Sequence, residues 1–139
     1  MKILFLDVDG VMNCQDTFRK DIHANFPIDP YMAFLVGKIV LETDCKVVLS
    51  SSWKHHKDSV DYIHKRIVSL YDQTPDIGSV RGDEIKAWLD NSKYKIDKYA
   101  ILDDDSDMLP EQMPNFFKTS WLVGITDDIA KAVIEHLNK

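Results

Sequence analysis

The sequence predicts an α/β protein: a three-layer, doubly wound parallel sheet without a cap domain. Three observations carry that prediction. Apolar runs at residues 3–6, 46–49 and 98–102 alternate with stretches of helical periodicity, which is the pattern of βαβ units. Each run passes directly into polar residues: Asp7 and Asp9, Ser50, and Asp103 with Asp104. Open α/β sheets bind their ligands beyond the carboxyl ends of their strands. Finally, 139 residues have room for one such sheet and its helices, so residues 1–139 are read as a single domain.

The first run, Ile3 to Leu6, is unbroken and ends in Asp7-Val8-Asp9-Gly10. An apolar run with no polar alternation suits a strand buried on both faces. In an extended chain Asp7 and Asp9 share a side, and two like charges held close call for a shared cation or proton. A plain strand-end turn is the rival reading, since Asp and Gly form turns.

Residues 11–30 have mixed composition and no periodicity, which predicts an irregular flap over the end of the first strand. Pro30 suits the first position of a helix with Asp29 as its cap, and residues 31–42 are largely apolar. The second strand, 46–49, runs into Ser50-Ser51-Ser52-Trp53. Residues 58–71 read as an amphipathic helix with Val60, Ile63, Ile67, Val68, Leu70 and Tyr71 inward, and a short strand is expected within 77–80. Arg81 opens a helix to about residue 91, with Ile85, Trp88 and Leu89 on its buried stripe. The strand at 98–102 precedes Asp103-Asp104-Asp105-Ser106-Asp107, and 115–118 suits a last short strand. Thr126 caps a final helix that carries Asp127 and Asp128 in its first turn.

In a parallel sheet the three polar strand ends fall on one edge and converge. Carboxylates from two strands make a hard oxygen site that suits Mg²⁺ better than zinc. Cys14 and Cys45 form no spaced metal motif and read as buried free thiols in a reducing compartment, with Cys14 close enough to the Asp pair to line the site. The net charge is −6, so no overall field recruits nucleic acid; Lys54, His55, His56 and Lys57 read either as a solvated helix N-terminus, the more common case, or as a local basic rim for a second phosphate or a nucleic-acid backbone. The first apolar run is too short for a membrane span or a secretory h-region, which points to a cytoplasmic protein with no membrane partner.

Asp7-Val8-Asp9-Gly10, Ser50, Arg81 and Asp103-Asp104, each after or at its expected element and in this order, resemble the four motifs of the haloacid dehalogenase (HAD) superfamily. The resemblance covers nearly the whole chain. The stretches Ser50-Ser-Ser-Trp53 and Arg81-Gly-x-Glu-Ile-x-x-Trp-Leu89 further resemble small, capless HAD domains of RNA-repair proteins.

This likeness implies a Rossmann-like core and a Mg²⁺-dependent phosphomonoesterase. Asp7 is then the nucleophile that forms an aspartyl-phosphate, and Asp9 the general acid and base. Ser50 bonds the transferring phosphoryl group and Arg81 offsets its charge. Gly10, Ser51 and Lys54 surround phosphate or substrate. Asp7 holds the metal, Asp103 or Asp104 completes its site, and Asp9 touches it through its backbone carbonyl.

Two departures leave alternatives. Val11 stands where the family commonly has Thr. The basic third-motif residue is usually Lys, so Lys86 competes with Arg81. Asp105 and Asp107 are either further metal contacts or caps of a helix near Met108. Trp53 is the tryptophan nearest a substrate, although a core role suits it as well, while Trp88 reads as core. His23, His64 and His136 have no partner pattern. The substrate is expected to be a phosphorylated small molecule or nucleic-acid end; no protein partner is inferable. Two other functions fit the same fold: a phospho-acceptor signalling domain of receiver type, in which Asp9 has no counterpart, and a non-catalytic binding module.

Overall fold

The computed structural model describes residues 1–20 and 25–139. Five strands form one all-parallel sheet: β1 (Lys2–Leu6), β2 (Lys46–Leu49), β3 (Leu70–Gln73), β4 (Lys98–Asp103) and β5 (Phe116–Lys118), in the order β3-β2-β1-β4-β5. The helices are α1 (Gln15–Lys20), α2 (Pro30–Thr43), α3 (Lys57–Tyr62), α4 (Arg81–Asp90) and α5 (Asp127–Leu137). Among the described residues no separate cap is present, and no helix is long and apolar enough to cross a membrane.

Strand alternation sends β1 side chains to two separate cores. Leu4 and Leu6 join Leu35, Val36 and Ile39 of α2 and Val133 and Leu137 of α5. Ile3 and Phe5 join Ile85 and Trp88 of α4 on the other face. Phe5 meets Trp88 edge to face, with ring centroids 5.5 Å apart, an arrangement that adds about 0.5–1.5 kcal/mol beyond area burial. Burial on both faces is why β1 reads as an uninterrupted apolar run.

The chain winds outward from β1 through β2 to β3, then crosses back to place β4 on the far side of β1. This reversal opens the crevice in which doubly wound sheets bind ligands. Register aligns Leu6 with Leu49 and with Leu102. Asp7, Ser50 and Asp103 therefore stand side by side, one step beyond those partners.

The caps act as their sequences imply. Asp29 accepts from the backbone N–H groups of Tyr31 and Met32 at 2.9 and 3.1 Å, and Thr126 Oγ1 accepts from Ile129 N. The expected helix over 58–71 is corrected. It ends at Tyr62, passes through one wide π-helical turn at Ile63–Ile67, and gives way to strand β3. Leu70 and Tyr71 therefore belong to an edge strand paired with β2, and residues 77–80 form no strand. Within the expected flap, residues 15–20 are helical; residues 21–24, with His23, lie outside the described part.

Candidate active site

The carboxylates of Asp7, Asp103 and Asp104 converge, with one oxygen of each lying within 4.8 Å of the others. Asp7 and Asp103 are 5% and 0% exposed. Asp104 is placed by the turn that follows Asp9: Gly10 has φ +80°, and a Cβ there would lie 2.2 Å from Asp104 Oδ2. Glycine thus meets both demands, since a left-handed conformation and a close approach each exclude a side chain. Three hard oxygen donors in this arrangement can hold a divalent cation.

Arg81, first residue of α4, reaches across to this cluster. Its guanidinium donates to Asp103 Oδ2 at 2.5 Å and lies 3.2 Å from Asp7 Oδ1. Asp107 fixes the start of α4 by accepting from Arg81 N at 3.1 Å. Gly82 N–H donates to the Asp107 carbonyl, and Gln112 Nε2 donates to the Gly82 carbonyl. Lys86 pairs instead with Asp90 on the exposed face of the same helix. Arg81 is accordingly the basic residue at the cluster. Asp107 caps α4 rather than a helix at Met108, and Asp105 contributes its N–H to Asp103 Oδ1.

The electrostatics favour a cation. Burial raises the Asp7 carboxyl well above the ordinary carboxylate range, and the neighbouring Asp103 adds to the rise, while Arg81 opposes it. Burial also raises Asp103, against the pull of Arg81. Burial works against the Arg81 charge, but Asp7 and Asp103 outweigh it and hold the guanidinium above its usual value. The carboxylates that crowd Asp7 are Asp103 and Asp104, not Asp9 as the extended-chain argument expects. The reason is a turn directly after β1, where Val11 and Met12 N–H both donate to the Val8 carbonyl.

Asp9 faces a different set of groups. Its Oδ1 accepts from Asn13 Nδ2 at 3.0 Å and from Trp53 Nε1 at 3.1 Å. Its side chain stands apart from the three metal-competent carboxylates. Ser50 is fully buried beside Asp7, and its Oγ has no hydrogen-bond partner among the described residues. A buried hydroxyl without a partner is costly, and here it marks a place where a ligand oxygen belongs.

Three residues expected around the phosphate make contacts within the fold. Lys54 is buried in an ion pair with Glu84 at 2.9 Å and also donates to Thr74 Oγ1 and the Pro75 carbonyl; a buried ammonium needs a carboxylate, and α4 supplies it. Ser51 Oγ accepts from Trp53 N. Gly10 N–H is taken by Asn13 Oδ1, so Gly10 serves as space for Asp104. Cys14 is buried against Thr17. His64 Nδ1 accepts from Leu70 N, and His136 Nε2 contacts the Tyr99 carbonyl and Asn115.

Sequence reasoning missed Asn13, the indole contact of Trp53, and Thr119. Thr119 Oγ1 donates to the Gly10 carbonyl at 2.6 Å, and its N–H donates to the Asp103 carbonyl. Asn13 Oδ1 reaches back to the Gly10 N–H three residues earlier, which is not the forward two-residue spacing of an Asx turn; nothing in the sequence marks Thr119.

The sheet, its switch point, the three polar strand ends and Arg81 at the start of α4 fit a HAD-type domain of the phosphohydrolase superfamily. Over residues 3–130 the chain matches the family described as the HAD domain in Swiss Army Knife RNA repair proteins, and it belongs to that family. No curated protein and no solved structure matches it significantly. Membership sets the receiver reading aside.

Proposed function

We propose that the protein is a Mg²⁺-dependent phosphomonoester hydrolase acting through an aspartyl-phosphate on Asp7. The supporting observation is the Arg81 guanidinium set between Asp7 and Asp103, beside the unpartnered hydroxyl of Ser50. A carboxylate attacking a phosphate ester faces like-charge repulsion, and a fixed guanidinium reduces it. Asp7 forms a bond to phosphorus as the bond to the leaving oxygen breaks. Asp9 gives that oxygen a proton. It then takes one from the water that hydrolyses the acyl phosphate and regenerates Asp7. Ser50 donates to a phosphoryl oxygen. Asp7, Asp103 and Asp104 would hold Mg²⁺, which neutralises charge on the phosphoryl group.

Asp9 forms part of the wall of an open groove of about 600 Å³, together with Phe18, Pro27, Trp53, His55 and His56. An uncapped approach of this kind suits a bulky leaving group, such as a phosphorylated nucleic-acid end or a nucleotide. A panel of 3′- and 5′-phosphorylated oligonucleotides beside mononucleotides, assayed for phosphate with Mg²⁺ and with chelator, tests the reading. Mg²⁺-dependent release from at least one class is expected; no release from any would favour a non-catalytic binding module.

The metal assignment has its own signature. Asp7 and Asp103 have raised pKa values in the fold, so the cation-free fold binds protons that the unfolded chain has already lost. Their contribution to stability is present below the ordinary carboxylate pKa and is lost as pH rises through the raised values. A bound divalent cation competes with those protons. The Mg²⁺-induced rise in Tm, measured against a chelated control at each pH, should therefore grow as pH rises above the ordinary carboxylate range. At a hundredfold excess over Kd it corresponds to about 2.7 kcal/mol. An increment that shrinks with pH would contradict the assignment.

A further inference from the structure

We propose that Trp53 and Asn13 form a clamp that orients Asp9, presenting its Oδ2 alone to the leaving group, so that Trp53 is a positioning residue for substrates whose leaving oxygen needs a proton. The inference rests on the reading of Asp9 as the proton carrier and adds the residues that aim it. Both N–H donors converge on Oδ1, at 3.0 and 3.1 Å. A carboxylate oxygen with two donors on it has its lone pairs engaged. Among the described residues no donor reaches Oδ2, so the two oxygens are made unlike.

Both arms of the clamp are themselves held. Asn13 is fully buried; its Oδ1 accepts from Gly10 N at 2.9 Å, and its Nδ2 also donates to the Pro27 carbonyl at 2.9 Å. These contacts fix the amide orientation, because an exchanged amide would set oxygen against oxygen at Asp9 and at Pro27. Trp53 packs on Phe26 with centroids 6.1 Å apart, and Phe26 stacks on Tyr62 at 4.6 Å. Its backbone N–H is bonded to Ser51 Oγ. The donors come from the segments after β1 and β2, so the clamp ties two strand-end loops together at the carboxylate. An indole N–H and a side-chain amide are donors that do not accept a proton at these atoms. They can hold Asp9 without competing for the proton it transfers. Trp53 also lines the groove beside Asp9, so a leaving group seated there meets the clamp and the carboxylate together.

The test compares wild type with Trp53→Phe, which keeps a ring and removes the N–H. One substrate is a 3′-phosphorylated oligonucleotide, whose alkoxide leaving group needs protonation. The other is p-nitrophenyl phosphate, whose phenolate departs with little help. For Trp53→Phe, kcat on the oligonucleotide is expected to fall about 10- to 100-fold with a smaller change in KM, and p-nitrophenyl phosphate turnover to fall less than about threefold. In an Asp9→Ala background the same substitution should add almost nothing. Equal losses on both substrates, a loss confined to KM, or an undiminished effect in the Asp9→Ala background would overturn the proposal.

A second readout needs no turnover. The Trp53 indole N–H resonance, one of three tryptophan signals and assigned by its loss in Trp53→Phe, should move upfield in Asp9→Ala. An unmoved signal would overturn the clamp. Wild-type protein that releases phosphate from neither substrate would count against the phosphatase reading, while the indole shift would still decide whether the clamp exists.

Discussion

Asp7→Asn should abolish phosphate release and at the same time make the cation-free protein more heat-stable. The two effects have one origin. As the proposed nucleophile, Asp7 would carry the covalent step, and its loss is expected to cost at least about 10³-fold in kcat. As a buried carboxylate beside Asp103 and Asp104, it is held where burial and like charge both oppose its ionised form. A neutral amide of nearly the same shape relieves that opposition, while Arg81 keeps its 2.5 Å bond to Asp103. A gain of roughly 0.5–2 kcal/mol is reasonable for the release of such functional strain. Phosphate release with Mg²⁺ and thermal melts in chelator measure the two halves. Undiminished turnover would remove Asp7 from its assigned role. A lower Tm would mean that its pairing with Arg81 outweighs its crowding.

The largest loss of stability is expected at a residue outside the carboxylate cluster, Lys54. Its ammonium and the Glu84 carboxylate are 2.9 Å apart, with side chains only 4% and 10% exposed. Among the described residues, Lys54→Ala leaves that carboxylate buried with only the Ile77 N–H at 3.2 Å, and breaking such a pair from one side costs about 3–5 kcal/mol. Denaturant melts would read it directly. Replacing both partners with apolar residues, Lys54→Met with Glu84→Leu, should cost far less, because no unpaired charge remains. The loss should reach activity too, since Glu84 lies one turn into the helix that Arg81 begins. A single-variant loss below about 1 kcal/mol would show that Glu84 finds water or another donor.

These two residues also mark where sequence reasoning succeeded and where it stopped. Asp7, Ser50 and Asp103 were legible because buried parallel strands read as plain apolar runs, and the first polar residue after each run falls on one edge of the sheet. Arg81 was legible through its place at a helix start. Lys54 was misplaced because its partner is 30 positions away in α4, and local composition could not distinguish a buried ammonium from one lining a phosphate site. Strand β3 was missed for a related reason. Only Leu70 in it is partly covered, so an edge strand of Leu-Tyr-Asp-Gln has no apolar run to announce it. The periodicity of α3 also carries forward through the wide turn at Ile63–Ile67 and masks the change of element. The contacts of Asp9 with Asn13 and Trp53 depend on how two loops fold over one another, which no spacing along one loop encodes.

The backbone hydrogen bonds just past the strands have one more consequence. Asp7 N–H donates to the Leu102 carbonyl, Ser50 N–H to Leu6, Thr74 N–H to Leu49 and Thr119 N–H to Asp103. Each residue stepping off a strand is still stitched to the strand beside it. Asp7 and Ser50 therefore share the rigidity of the sheet and have no hinge of their own; displacing either means unzipping the ladder beneath it. Loop segments outside the contacts that hold Asp9 are spared that duty. They can lengthen, shorten or change sequence over generations, altering what is admitted, while the atoms that would do the chemistry stay where the sheet has put them.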